Sequence, residues 1–378
     1  MNNKFKILLS PPCIRLKEKL NVIGFLFRNM LLNQGDNIFE FERKINKYLN
    51  SNNKIILLNS GTSAIHLSLI LSNVKENDIV ICQTATFSAS VNPIIYQGAI
   101  PVFIDSEEDT KNICPILLEK AIIQEISKGK KPKAIIMVHL YGMPAKINQI
   151  VSIAKKYEIT LIEDAAEAFG SSYKGQKCGT FGDYGILSFN TNKIITAFGG
   201  GALICKSKED KQKAVFLATQ ARDEAPHYQH SEIGYNYRIS NVLAGIGRGQ
   251  MEVLEEHVAL RRKNNQFYQE IFKNVAGVTV FEEPNSDYFS NHWLSCILID
   301  TKKTGFSRED LRLQLEKDNI ESRPLWKPMH LQPVFKDCDY YGATVSEDLF
   351  KNGLCLPSGS NLRQEDLNRI HKSIKKLL

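Results

Sequence analysis

Beyond Lys54 the chain alternates short, apolar, β-branched runs with segments of helical spacing. Ile55-Ile56-Leu57-Leu58 predicts a strand, and 62–71 behind it a helix. Val80-Ile81-Cys82 is a second strand, followed by a helix from about Ser88. Segments 101–104, 134–139 and 160–163 are further strands, with helical patterns such as 147–157 between some of them. Segments 185–189 and 201–205 add two more, close together. Strands that are apolar at every position are buried on both faces. Alternation of this kind therefore predicts an α/β fold with a mostly parallel sheet covered on both sides.

The pattern changes after about residue 240. Segment 242–272 is a long helical stretch rich in charge. Strands at 278–281 and 294–300, a helix near 309–317 and a final helix from Gln364 predict a smaller α+β unit. Residues up to about 50 read as an N-terminal arm and a helix. The predicted division is 1–250, arm plus large domain, and 251–378, small C-terminal domain.

A chain of 378 residues, 43% apolar and 24% charged, suits a globular protein of two packed domains. The net charge of +7, from 48 basic and 41 acidic residues, is dispersed, whereas a nucleic-acid footprint is clustered. An anionic small-molecule substrate suits the same excess. The eight cysteines show no CxxC spacing and several sit in apolar runs. They read as reduced, buried thiols of a cytoplasmic protein, with no metal site. Pro11-Pro12 breaks the early apolar run, so no signal peptide is expected. The apolar stretch 22–32 contains Arg28 and is too short to cross a bilayer, so no membrane association is expected.

Candidate chemistry gathers at the predicted strand ends. Asp164, in Ile162-Glu-Asp164-Ala-Ala-Glu167, ends a buried strand, where a side chain faces the ligand crevice of an open α/β sheet; an acid there also serves as a helix cap. Lys193, in Ser188-Phe-Asn190-Thr-Asn-Lys193, lies just beyond another strand. A lysine amine of lowered pKa forms Schiff bases and moves protons, although lysine after a strand is also common on a solvated surface. The glycines Gly199-Gly-Gly201 imply close backbone approach nearby. Asn59-Ser-Gly61-Thr62-Ser63 opens a helix directly after a strand, where backbone amides and hydroxyls suit a phosphate. Ordinary strand–turn–helix junctions look the same, and no Walker Gly-Lys-[Ser/Thr] follows. Phe87 follows the next strand at the same edge, to stack on a ring ligand or to pack in the core. His139 ends a strand, as a core histidine or a substrate contact. His227 and His230 lack the acidic or cysteine companions of a metal site.

Together these segments resemble the DegT/DnrJ/StrS family of pyridoxal-phosphate (PLP)-dependent nucleotide-sugar aminotransferases, over nearly the whole chain. Ser10-Pro-Pro12 resembles the family's opening, Ser60-Gly-Thr-Ser-Ala64 its phosphate loop, Glu163-Asp-Ala-Ala its cofactor aspartate segment and Ser188 to Gly201 its lysine loop. Gly234-Tyr-Asn236-Tyr-Arg238 resembles the segment that reaches the neighbouring subunit's cofactor phosphate. Arg323-Pro-Leu-Trp326-Lys-Pro-Met-His330 and Leu356-Pro-Ser-Gly359 resemble the closing motifs.

The resemblance implies the aspartate-aminotransferase fold (PLP transferase type I), with a mostly parallel, mixed seven-stranded sheet and a smaller C-terminal α+β domain. It implies Lys193 as the residue that carries PLP as a Schiff base and Asp164 as the partner of the pyridine nitrogen. Gly61, Thr62, Ser63, Phe87, Glu167, Ser188 and Asn236 are the further cofactor contacts it implies. His139, Arg323, Trp326 and His330 are the implied substrate contacts, glutamate the implied donor and a homodimer with shared sites the implied assembly. Asn192-Lys-Ile-Ile-Thr196, Thr219-Gln-Ala-Arg222 and 323–330 look most like enzymes acting on UDP-linked 4-keto-6-deoxy-2-acetamido sugars of the bacillosamine type. Glu167 stands where many members have Gln. Cys13-Ile-Arg15-Leu replaces the usual Gly-Gly after Pro-Pro, and Leu31-Leu-Asn-Gln-Gly35 replaces the Ala-Pro-x-Gly loop, so the sugar is less well specified than the cofactor. The alternatives are amination of dTDP-linked 4-keto-6-deoxy or 3-keto sugars, dehydration at sugar C3, and a non-catalytic regulatory protein that kept the fold. Lys193 speaks against the dehydration, because such enzymes resemble a pattern with His at that position.

Overall fold

The computed structural model describes residues 6–14, 36–52 and 54–378. The apolar stretch 22–32 and the loop 31–35 lie outside the described residues. In chain order the first elements are α1 (Asp36–Leu49), β1 (Ile55–Leu58), α2 (Gly61–Leu71), β2 (Ile79–Gln83), α3 (Asn92–Tyr96), β3 (Ile100–Ile104), α4 (Pro115–Ser127), β4 (Ala134–Val138), α5 (Ile147–Lys156) and β5 (Thr160–Asp164). Then come the two-residue β6 (Ser172–Tyr173) and β7 (Gln176–Lys177), β8 (Tyr184–Ser188), β9 (Gly201–Ile204), α6 (Lys208–Ala218), α7 (Asn241–Gln250) and α8 (Leu254–Phe272). The C-terminal part holds β10 (Val278–Val280), β11 (Tyr288–Phe289), β12 (Ser295–Ile299), α9 (Thr301–Thr304), α10 (Arg308–Lys317), β13 (Arg323–Pro324), β14 (Tyr340–Tyr341), α11 (Val345–Asn352), β15 (Gly353–Leu356) and α12 (Gln364–Ile374).

The large sheet runs β1-β9-β8-β5-β4-β2-β3-β14. Only β9 is reversed, pairing antiparallel with β1 and β8. Apart from the half-buried β14, its strands are buried along nearly all of their length, and alternate side chains enter two separate cores. Ile55, Ile81, Ile135 and Met137 pack on one face, and Ile56, Val80, Ile136 and Val138 on the other. That is why the strands carry no polar alternation.

The sheet has eight strands where seven were expected. The eighth, β14, comes from the C-terminal part and lies parallel to β3. It covers the β3 edge: Phe103 N–H donates to Asp339 C=O at 2.9 Å and Asp105 N–H to Tyr341 C=O at 3.0 Å. Two residues are too few to show a period. The helix expected from Ser88 is a 3-10 turn followed by the five-residue α3. The stretch 242–272 is two helices, broken at 251–253. The break turns Gln250 inward, where its Oε1 accepts Thr196 N–H at 3.1 Å and its Nε2 donates to Cys13 C=O at 3.1 Å. Gly247 brings α7 against α1; a Cβ there would lie 2.2 Å from the Phe41 ring.

The C-terminal part carries its own antiparallel sheet, β10-β12-β15-β13. Tyr268, Phe272, Leu311, Leu315, Ile370 and Ile374 cover it from α8, α10 and α12.

The topology gathers one edge. β1, β2, β5 and β8 run the same way, so Asn59, Thr84–Phe87, Asp164 and Ser188 emerge together at their carboxyl ends. The reversed β9 starts there with Gly201. This is the edge at which open α/β sheets bind ligands.

Candidate active site

Ser60 caps α2, its Oγ accepting Ser63 N–H at 3.0 Å. The first-turn amides of a helix have no intrahelical acceptor and carry partial positive charge. Gly61 and Thr62 present that turn to a cavity of about 230 Å³. Close approach maintains the wall. A Cβ on Gly201 would stand 2.4 Å from the Ser60 carbonyl carbon, and one on Gly61 3.3 Å from Ser188 Cβ. Gly200 has φ +121°, a backbone that favours glycine.

Asp164, 5% exposed, lines the cavity at the end of β5. Its Oδ2 accepts from Ser90 Oγ at 2.7 Å and its Oδ1 from Ala166 N–H at 3.1 Å. Thr86 Oγ1 lies 2.8 Å from Ser90 Oγ and extends the chain of hydroxyls.

Lys193 reaches the same cavity from the loop after β8. Its Nζ stands 3.5 Å from Glu167 Oε1 and 4.1 Å from the centre of the Trp293 ring. Glu167 is buried, and its Oε2 accepts Tyr141 N–H at 2.8 Å. Burial raises its carboxyl above the ordinary range, the nearby Lys193 charge works against that rise, and the Asp164 charge adds to it.

Phe87 and Trp326 form the outer wall, ring centres 5.3 Å apart. Trp326 stacks on Tyr141 at 5.8 Å, and its main-chain N–H donates to Tyr141 Oη at 2.8 Å. Trp326 Nε1 is buried and has no partner among the described residues.

The structure thus brings Gly61, Thr62, Phe87, Asp164, Glu167, Ser188, Lys193 and Trp326 to one cavity. Others lie elsewhere. Ser63 is buried, and its hydroxyl donates to Asn59 Oδ1 at 2.6 Å inside the cap. Asn236 is exposed outside the cavity of its own chain, its carbonyl accepting from Asn59 Nδ2 at 3.2 Å.

Three expected substrate contacts do not line this cavity. His139 is fully buried, with Nε2 2.8 Å from Glu163 Oε1 and Nδ1 accepting Ala145 N–H at 3.1 Å. Its ring nitrogens are spent inside the fold. Arg323 is exposed and pairs with Glu321 at 2.9 Å. His330 packs on Tyr340 at 3.8 Å, and its Nδ1 lies 2.7 Å from Thr84 Oγ1. Neither lines the cavity.

His139, Glu163 and Cys178 bring three donor atoms within 4.8 Å of one another. Glu163 already accepts N–H bonds from Gly179, Phe181 and Gly182. The cluster reads as a closed hydrogen-bond network.

Ser90, Tyr141 and Trp293 were missed. Ser90 was findable as a hydroxyl just behind Phe87 at the ligand edge. Trp293, from distant sequence, carried no local signal.

An acid, an amine and a helix N-terminus facing one ring-sized cavity fit pyridoxal phosphate, with the carboxylate for the pyridine nitrogen and the amides for the phosphate. The architecture and this constellation define a PLP enzyme of fold type I. Residues 12–375 match the model of the DegT/DnrJ/EryC1/StrS aminotransferase family, and the chain belongs to that family of PLP-dependent sugar aminotransferases. It is 46% identical over 369 residues to EpsN of Bacillus subtilis (97% of this chain, 94% of that protein). It is 36% identical over 365 residues to the GDP-perosamine synthase of Escherichia coli O157:H7 (96% of each). The crystal structure of a DegT DnrJ EryC1 StrS aminotransferase from Brucella abortus superposes with a TM-score of 0.87, at 29% identity and covering 95% of each chain. No described helix is long and apolar enough to cross a membrane.

Proposed function

We propose that this aminotransferase moves the amino group of glutamate to the C4 keto group of a nucleotide-linked 4-keto-6-deoxy sugar, in surface-glycan biosynthesis. A UDP-linked 2-acetamido sugar is the first choice. The observation that carries the reading is the cavity shared by Lys193, Asp164 and the aromatic wall of Phe87 and Trp326. Bound PLP supplies an aldehyde and an electron-accepting ring. Asp164, oriented by Ser90, holds a positive charge on that ring's nitrogen. Lys193 attaches the cofactor and moves a proton to and from the substrate carbon. The α2 N-terminus, with Thr62 and Ser188, holds the phosphate. Phe87 and Trp326 offer apolar faces to the rings of cofactor and sugar. The working unit is a cytoplasmic homodimer in which Asn236 completes the partner subunit's phosphate site.

A second reading, a GDP-linked 4-keto sugar, is favoured by the 36% identity to GDP-perosamine synthase. Initial rates with UDP-, dTDP- and GDP-linked 4-keto-6-deoxy sugars, with glutamate as donor, decide between them. A site that pairs the acetamido donor and acceptor penalises a 2-hydroxy analogue by as much as about 10⁴-fold in kcat/KM. A ratio near one, or one favouring dTDP or GDP, overturns the first choice; no turnover with any of them overturns the sugar assignment.

A further inference from the structure

Transfer through Lys193 needs its amine free, because an ammonium group has no electron pair to offer. A proton must therefore leave Nζ in a cavity where the lysine side chain is largely buried. Glu167 Oε1 lies 3.5 Å from Nζ, with the two side chains 5% and 12% exposed. The Tyr141 N–H on Oε2 fixes the carboxyl and leaves Oε1 toward the lysine. The groups that face Glu167 come from four segments: Asp164 from β5, Lys193 from its loop, Tyr141 from the turn after β4 and Cys296 from β12. Lys193 is the only cation among them. Lys193 Nζ also stands 4.1 Å from the centre of the Trp293 ring, which attracts a cation and accepts no proton.

We propose that Glu167 is the acid–base partner of Lys193. An Nζ–H bond of the ammonium breaks, an Oε1–H bond forms on Glu167, and the electron pair stays on Nζ as a neutral amine. The proton returns when the lysine is released. Burial disfavours the ionised carboxyl, the direction that favours Glu167 as the holder of the proton. A glutamine cannot hold the proton, so members with Gln at this position need another acceptor. The proposal rests on the functional reading above only in taking Lys193 as the residue that binds the aldehyde.

Infrared difference spectra recorded on adding PLP to the cofactor-free protein test this. The expected result is a new protonated-carboxyl band that shifts when the protein carries 13C-labelled glutamate and stays put with 13C-labelled aspartate. That measurement needs no variant. In Glu167→Gln the band is expected to be missing and the loading of Lys193 to slow by about 10²-fold. A band that follows aspartate labelling, no band, or wild-type loading in Glu167→Gln overturns the proposal. Borohydride trapping on the same samples separates the two ideas. PLP fixed to Lys193 without a glutamic-acid band sinks only the role of Glu167. PLP fixed elsewhere sinks the assignment of Lys193.

Discussion

Lys193 Nζ stands 4.1 Å from the centre of the Trp293 ring, and that indole donates from Nε1 to the carbonyl of Asn192 at 2.7 Å. The lysine and the residue before it are thus held by the two parts of one side chain. Behind it the buried Arg261 donates to Trp293 C=O and to Ser10 Oγ, and Ser10 Oγ donates to Asn192 C=O. Trp293→Phe keeps a ring and loses the Nε1 bond, an expected cost of about 1 kcal/mol. Trp293→Ala also leaves a cavity and is expected to cost about 3–5 kcal/mol. Urea unfolding of both variants checks the order; equal losses would show that the hydrogen bond, rather than the ring, matters.

Lys193→Ala is expected to abolish turnover and to leave PLP bound without a covalent link. Borohydride reduction of the wild type, followed by peptide mapping, is expected to find the label on Lys193. Label on any other lysine removes it from its role.

Asp164→Asn is expected to fold and to lose most activity. The amide keeps hydrogen-bonding atoms for Ser90 and Ala166 but cannot balance a positive ring nitrogen. A charge-assisted hydrogen bond contributes roughly 1.5–3 kcal/mol, or on the order of 10- to 100-fold in rate. A kcat close to wild type would refute the pairing.

Much of this site was legible because buried strands are apolar throughout and because ligand-bearing residues follow them directly. β1 to β5, β8 and β9 announce themselves in this way, and Asp164, Ser188 and Lys193 come with them. Sequence position alone does not say which face a strand-end residue takes. Val138 lines the cavity, whereas the next residue, His139, meets Glu163 inside the fold. Side chains alternate along a strand, so an offset of one residue reverses the assignment. Arg323 and His330 belong to short segments of no periodicity, where only tertiary packing decides direction. Trp293 and Tyr141 enter from different parts of the chain, a juxtaposition the linear order does not contain.

Stability is expected to fall as the solution is acidified through the histidine range. His66, on α2, is pushed down to about 4 by burial. Around it are Gln97 Nε2 at 2.7 Å, Tyr237 Oη at 3.1 Å and the rings of Tyr96 and Tyr235. Below the ordinary value of 6.5 the unfolded chain takes up a proton that the folded one refuses. The loss therefore builds between about 6.5 and 4 and levels off below. Urea midpoints across this range are expected to slope less steeply in His66→Gln; an unchanged slope would assign the effect to other groups.

If Asn236 serves the partner's site, a mixture of Lys193→Ala and Asn236→Ala proteins is expected to regain activity. One site of each mixed dimer then has an intact lysine and an intact asparagine. Activity restored only by the wild type, or full turnover by a monomer in light scattering, would contradict shared sites.

The strand that β14 lends to the large sheet has a bearing on how this protein can be cut and recombined. Ending the chain near residue 250 would strip the outer edge of β3, leaving the N–H groups of Phe103 and Asp105 without the acceptors at Asp339 and Tyr341. The Phe103 ring would lose Phe335, 5.7 Å away. Such an edge is a template for pairing with other chains. A chimera that exchanges the C-terminal part between relatives must therefore carry over a matched pair of β3 and β14, so the unit of exchange is defined by strand contacts rather than by a point along the chain.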